Sequence, residues 1–245
     1  MKINIKKIRL DLKEKGFVFL PGILKKNKNF KNLTSEICYF LNTFSKKNYK
    51  QINNYDEIIC KKFKSNKKIS GYLNENLNLL PSLNGVFADK EVVLLTKKIL
   101  GSENKPLIVN NHRLRLQIPS HDHVANLPWH QDIHYNKIKR SRSLVFWMSL
   151  GNIDQEMGPI IIKSRSHKIK KVKKFFFKKP NGGKVPSVNV KKINSKFYNQ
   201  VSFPTNSGDI LILDLKLVHT SGLNKAKDRI KWSAQARFHV PSLIR

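Results

Sequence analysis

The segment LPWHQDIHY, Leu127 to Tyr135, sets two histidines and an aspartate among aromatic residues. His130 and Asp132 are two apart, so an extended chain turns both to the same side. Two imidazoles and one carboxylate on one side of a metal, with the other side open to a co-substrate and dioxygen, are the donor set of non-haem Fe(II) oxygenases. A lone His-x-Asp carries little weight, because such short patterns recur by chance. A third donor has to arrive from elsewhere. His219 ends the apolar run GDILILDLKLV and opens HTSGLNKAKDR, in which Arg229 comes ten residues later.

The final stretch bears on what surrounds such a site. Arg229, Lys231, Ser233, Gln235, Arg237 and His239 share one parity, and Ile230, Trp232, Ala234, Ala236, Phe238 and Val240 share the other. The apolar face must pack. The polar face is either solvated or the lining of a pocket, and alternation alone does not distinguish the two. If it lines a pocket, Arg229 points inward, where its planar fork suits a carboxylate.

These residues need elements to position them. Ile5, Ile8 and Leu12 recur at helical spacing with Gly16 as a stop, and GFVFLPGIL reads as a short strand ended by Pro21-Gly22. Phe30, Leu33, Ile37, Phe40, Leu41 and Phe44 form a second helical stripe, and Asp89 is placed to cap a third helix running to Gly101. From about Leu107 the texture changes to short β-like runs: LIVNNHRLRLQI, SLVFWMSL, GPIIIK, GDILILDLKLVH and KWSAQARFHV. Many short strands between Pro, Gly and Asn turns predict a barrel or sandwich.

The chain has 245 residues, 40% of them hydrophobic, which is a globular composition able to bury a core. No run approaches the roughly 18 to 20 apolar residues of a membrane span. Cys38 and Cys60 are too few for a disulfide framework and read as core, so a reducing cytoplasm is the expected compartment. The net charge is +32, from 48 basic and 16 acidic residues. An A/T-rich coding sequence explains lysine over arginine but not the scarcity of acids. The field attracts anions of any kind, from carboxylates to nucleic acid.

Taken together, these segments resemble the phytanoyl-CoA dioxygenase family of Fe(II)/2-oxoglutarate oxygenases. WHQDIHY is similar to that family's His-Gln-Asp segment, SLVFWMSLGNIDQEMGPIIIKSRSHK to the strand pair after it, and GDILILDLKLVHTSGLNKAKDR to its distal-histidine segment. The sequence KSRSHK stands in place of the family's usual Pro-Gly-Ser-His turn. The resemblance covers most of the chain from Gly16 onward. It implies a mainly β fold with flanking helices, a double-stranded β-helix (jelly-roll) barrel forming one domain over 1–245. The helical part would run to about 105, the barrel from about 106, and a basic insert from about 163 to 204. It implies iron held by His130, Asp132 and His219, with 2-oxoglutarate and dioxygen as co-substrates. Arg229 and Ser221 would hold the distal carboxylate, Trp147 would lie against the same co-substrate, and Gln117 or Arg115 would add a polar contact. With Asp132 present no position is left for a halide, so hydroxylation of a small organic metabolite is the expected reaction.

Other readings compete residue by residue. Trp147 is equally at home as plain core. His134 makes His-x-x-x-His with His130, but Gln131 stands where a zincin needs Glu. His121 and His123 read as a solvated loop after Pro119 sooner than as a metal-binding pair, and His112, His167 and His239 as structural or as supports behind the ligands. From Met157 to Gly208 there is no acid, and KIKKVKKFFFKK mixes basic and aromatic residues as single-strand platforms do. A nucleic-acid oxygenase or binder is therefore an alternative, as is a ligand-binding barrel without catalysis. Within an oxygenase, Lys170, Lys171, Lys173 and Lys174 would steer an anionic substrate from a loop broken by Pro180, Gly182, Gly183 and Pro186.

Overall fold

Strand alternation in the C-terminal half builds two facing antiparallel sheets, and the helical stripes of the N-terminal third cover one of them. The computed structural model describes residues 3–119, 127–135, 142–169, 172–178, 183–193 and 198–241. The helices are α1 (Ile5–Lys15), α2 (Lys28–Ser45), α3 (Asp56–Ser65), α4 (Lys68–Leu77), α5 (Pro81–Phe87) and α6 (Lys90–Leu100). The strands are β1 (Phe17–Leu20), β2 (Ile108–Gln117), β3 (Arg142–Ser149), β4 (Ile160–Lys163) and β5 (Lys174–Lys178), then β6 (Lys184–Val188), β7 (Gln200–Phe203), β8 (Ile210–Asp214), β9 (His219–Ser221) and β10 (Lys231–Val240). A five-stranded sheet runs β1-β8-β3-β10-β2, a three-stranded sheet runs β7-β4-β9, and β5 and β6 form a separate hairpin. This is the expected jelly-roll with flanking helices.

Local chemistry sets the helix ends. The Asn4 side chain accepts from Lys7 N–H at 3.0 Å, and Asp89 accepts from Glu91 and Val92 as expected of a cap. Gly16 ends α1 at φ 86°, and a Cβ there would meet His167 Nδ1 at 2.4 Å, so both backbone and space require glycine. Between α2 and α6 the chain forms three helices that the stripe reading did not separate. They are short and rich in Asn and Lys, but Ile59, Phe63, Leu73, Leu77, Leu83 and Phe87 bury one face of each.

The five-stranded sheet is covered on both sides. Phe146, Met148, Ile210, Ile212, Trp232, Ala234 and Phe238 pack under the helices, while Val145, Trp147, Leu211 and Leu213 meet Ile160 and Ile162 of the small sheet. All ten residues of β10 are buried. Its apolar parity faces the helices, and its polar parity turns into the space between the sheets.

The structure departs from the sequence reading in three places. The run GDILILDLKLVH is not one strand: the Asp214 carboxylate accepts from Lys216 N–H at 2.7 Å, making a turn that carries the chain from β8 in one sheet to β9 in the other. The β2–β10 register shifts between Gln235 and Arg237, opposite Asn111 in a left-handed conformation (φ 49°), which is a bulge that asparagine tolerates. The basic insert is not simply a loop. Its described part contains the β5–β6 hairpin, with Pro186 inside a strand, while Lys170, Lys171, Pro180 and Gly182 lie outside the described residues. His121 and His123 lie outside them as well.

Candidate metal centre and its cavity

His130 and His219 meet across an isolated antiparallel bridge, each N–H donating to the other's carbonyl at 2.9 and 3.0 Å, which brings the ring centroids to 4.2 Å. The turn KSRSHK supports this junction. Buried Ser166 accepts from Val218 N–H at 2.8 Å, and Lys163 N–H donates to Val218 O at 2.9 Å, fixing the backbone just before His219. Asp132 is not on an extended strand with His130, as the spacing suggested; it opens a single 3-10 turn, Asp132–His134. The turn still brings its carboxylate to the two rings. Donor atoms of His130, Asp132 and His219 lie within 4.8 Å of one another, and all three residues are buried. His134 and His167 are not part of this cluster, and His167 instead contacts Lys13 O at 3.0 Å.

The partners of these side chains select which atoms face inward. His130 Nδ1 lies 2.7 Å from Pro128 O and His219 Nδ1 lies 3.0 Å from Leu217 O. With each Nδ1–H donated to a carbonyl, the two Nε2 lone pairs are left to ligate. Asp132 Oδ1 accepts from Arg237 at 2.5 Å, and Arg237 also donates to the carbonyl of bulged Asn111 at 3.1 Å. Asp132 Oδ2 is buried without a partner, 3.7 Å from His219 Nε2. A buried carboxylate oxygen left unsatisfied between two imidazole nitrogens fits a cation that would complete it. Burial pushes the His130 imidazole down to about 3, with His219 adding to the effect. Burial works against the Asp132 carboxylate, yet Arg237 and the two histidines hold it well below its usual range. The site is thus disposed to present a neutral His130 imidazole beside an ionised Asp132.

A cavity extends from His130 and His219 between the sheets. Arg115, Gln117, Trp147 and Ser221 line it, so the structure brings these four together with the histidines. Arg229 is not among them. It precedes β10, its side chain is 47% exposed, and it forms ion pairs with Asp154 and with Glu156, the latter at 2.5 Å. The expectation that Arg229 reaches the cavity is therefore corrected: two surface carboxylates hold it outside. The cation inside is Lys231, two residues on and of the same parity. It is buried, and its ammonium donates to Gly158 O (2.5 Å), Ser221 Oγ (2.8 Å) and Gly222 O (3.1 Å).

The neighbourhood of Lys231 is built around it. Gln117 stands opposite in register, accepts from Ser221 Oγ at 3.2 Å and donates to Gly222 O at 3.3 Å. Gly158 sits at φ 65°, where a Cβ would come within 2.3 Å of Leu223 O, so only glycine lets the two turns close on the lysine. Buried Asp56 of α3 accepts from Ile230 N–H at 3.0 Å and from Trp232 Nε1 at 2.8 Å, bracketing Lys231 on both sides. Burial pushes the Asp56 carboxyl up to about 7. Lys231 was legible only as one member of the polar parity, and Asp56 gave no sequence signal at all. Arg237, the alternative cation on that face, is committed to Asp132.

The phytanoyl-CoA dioxygenase (PhyH) family profile matches residues 12–231. No curated protein matches the chain by sequence. Among solved structures the chain is similar to the epimerase SnoN in complex with Fe3+, alpha ketoglutarate and nogalamycin RO, at 14% identity over 96% of this chain and 83% of that one, with a TM-score of 0.60. It is similar to EctD from S. alaskensis with bound Fe, at 13% identity over 97% and 77%, TM-score 0.63. It is also similar to EvdO2 from Micromonospora carbonacea var. aurantiaca complexed with 2-oxoglutarate, at 16% identity over 99% and 92%, TM-score 0.60. At such identities the structural likeness is one of fold.

Proposed function

Because the chain belongs to the phytanoyl-CoA dioxygenase (PhyH) family, we propose that it is an Fe(II)- and 2-oxoglutarate-dependent dioxygenase that hydroxylates a C–H bond of a small, anionic organic molecule. The observation that carries this reading is the buried His130, Asp132, His219 cluster with Asp132 Oδ2 unpartnered at its centre. When bound, iron and 2-oxoglutarate supply the oxidising power for C–H cleavage from dioxygen, with release of succinate and carbon dioxide.

The protein's part is to hold and orient. His130 Nε2, His219 Nε2 and Asp132 Oδ2 would take the metal, while Arg237 keeps the other carboxylate oxygen engaged so that Asp132 offers one atom. Lys231, with Ser221 and Gln117, would hold the distal carboxylate of 2-oxoglutarate, and Trp147 would form the wall beside it. Arg115 is a second cation on the same lining, among whose residues no acid stands. Burial, with Arg237 beside it, pushes the Arg115 guanidinium down to about 10, which leaves it charged at neutral pH. That positive lining supports an anionic substrate.

The test is to incubate the protein with Fe(II), 2-oxoglutarate and metabolite pools, tracking succinate release and product mass. A product heavier by one oxygen atom is expected. An isomer of unchanged mass would replace hydroxylation with a rearrangement, and no iron-dependent succinate from any pool would remove the enzymatic reading.

Lys231 also gives the co-substrate a pH dependence. Burial pushes its ammonium down to about 7, and three acceptors surround it. The carboxylates of 2-oxoglutarate stay ionised above about pH 5, so the attraction is present below pH 7 and fades as the lysine loses its proton above it. Calorimetric titration from about pH 6.5 to about pH 8.5 should show affinity weakening. Lys231→Arg, which stays charged throughout, should flatten that slope relative to the parent; equal slopes would clear the lysine of the effect.

A further inference from the structure

We propose that the outer strand of the β5–β6 hairpin is a docking edge for an anionic lipid surface. All five residues of β5 are exposed, with Phe175, Phe176 and Phe177 at 47%, 60% and 41%. Among the described residues β5 pairs only with β6, so its other edge is open. Three adjacent phenylalanines exposed on the two faces of an open strand make the kind of apolar edge that a monomer does not usually leave in water. Around them stand Lys173, Lys174, Lys178 and Lys184, all exposed, with the Lys174 ammonium 5.9 Å over the Phe176 ring. No acidic residue occurs between Met157 and Gly208 to neutralise them.

The hairpin is rooted firmly, and its root lies beside the site. Pro186, Ser187 and Val188 are buried; Ser187 Oγ and Val188 N–H both donate to Trp129 O at 2.8 Å, and Tyr135 Oη donates to Pro186 O at 3.1 Å. Trp129 and Tyr135 flank His130 and Asp132 in the chain. An object bound at β5 is therefore held next to the segment that carries the metal-binding cluster, although the docking itself does not depend on the proposed chemistry.

Charge and geometry choose among occupants. A second copy of this chain is disfavoured, because each carries +32 and lysines stand at both ends of the strand that would pair. A nucleic acid would stack successive bases on rings offered along one face. Strand alternation instead puts Phe175 and Phe177 on one face and Phe176 on the other. A bilayer interface takes up apolar side chains on both faces of an immersed edge while its anionic headgroups meet the lysines. Such paired apolar and basic signals are what peripheral attachment requires.

The experiment is co-sedimentation of the full chain with phosphatidylcholine vesicles, with and without phosphatidylglycerol. The parent should sediment with the anionic vesicles and hardly with the neutral ones. Phe175→Ser with Phe176→Ser and Phe177→Ser should cut partitioning about a hundredfold at unchanged charge, because each ring loses partial burial. Lys174→Gln, Lys178→Gln and Lys184→Gln should each cut it about fivefold. Both sets should keep Fe(II) binding, which shows that they fold. The proposal is overturned if the parent ignores anionic vesicles, or if the serine variant binds them like the parent. It is also overturned if the serine changes abolish single-strand oligonucleotide binding or self-association while vesicle binding persists.

Discussion

His219→Ala, His130→Ala and Asp132→Asn should each reduce iron-dependent succinate release to background. Loss of one donor from a three-residue set removes both affinity and geometry, so Fe(II) binding should weaken by more than the ten- to hundredfold that removal of an outer partner costs. The two histidine variants should still unfold cooperatively, because their backbones are fixed by the mutual bridge and not by the rings. Asp132 needs the isosteric amide. An alanine there would leave the buried Arg237 guanidinium with neither anion nor acceptor at that position, whereas the amide loses the charge but keeps Oδ1 as an acceptor. Wild-type turnover in any one variant would take that residue out of the ligand set.

The second large effect belongs to Lys231. Lys231→Met should weaken 2-oxoglutarate binding about ten- to hundredfold, the value of a charge-assisted hydrogen bond of roughly 1.5–3 kcal/mol. Arg229→Ala should leave it within about twofold, since an exposed ion pair contributes about 0–1 kcal/mol and lies outside the cavity. Titration of both variants with 2-oxoglutarate in the presence of Fe(II) decides the matter. The opposite ranking would return the clamp to Arg229 and require the surface ion pairs to break on binding.

The Arg229 and Lys231 pair shows where sequence reading reaches its limit. Counting from His219 to an arginine selects a residue by type and spacing, but the strand begins at Lys231, and the first residue of the polar parity never enters the sheet. Nothing near Arg229 in sequence announces its partners, because Asp154 and Glu156 lie 75 and 73 residues away. The polar parity itself was plain; which way it faced depended on α2 to α5 packing against the other side. His130, Asp132 and His219 were legible because the first two are nearly adjacent and the third ends a recognisable apolar run. Asp56 was not, because with Glu57 it reads as an ordinary acidic first turn of a short helix. The break at Asp214 was hidden by apolar residues that continue through the turn at Leu215, Leu217 and Val218.

Complete burial of β10 has a bearing on motion. The strand that carries Lys231, Ser233 and Gln235 is hydrogen-bonded on both edges, to β2 and β3, with a covered surface above and below. Exchange of its amides with solvent should require opening of the sheet, which would place this wall among the most protected parts of the molecule. The backbone beneath the residues expected to grip a co-substrate should therefore be among the last parts of the molecule to open. Entry and departure of small molecules fall to the rim of the cavity, and a substitution that quickens them would act there without loosening the grip.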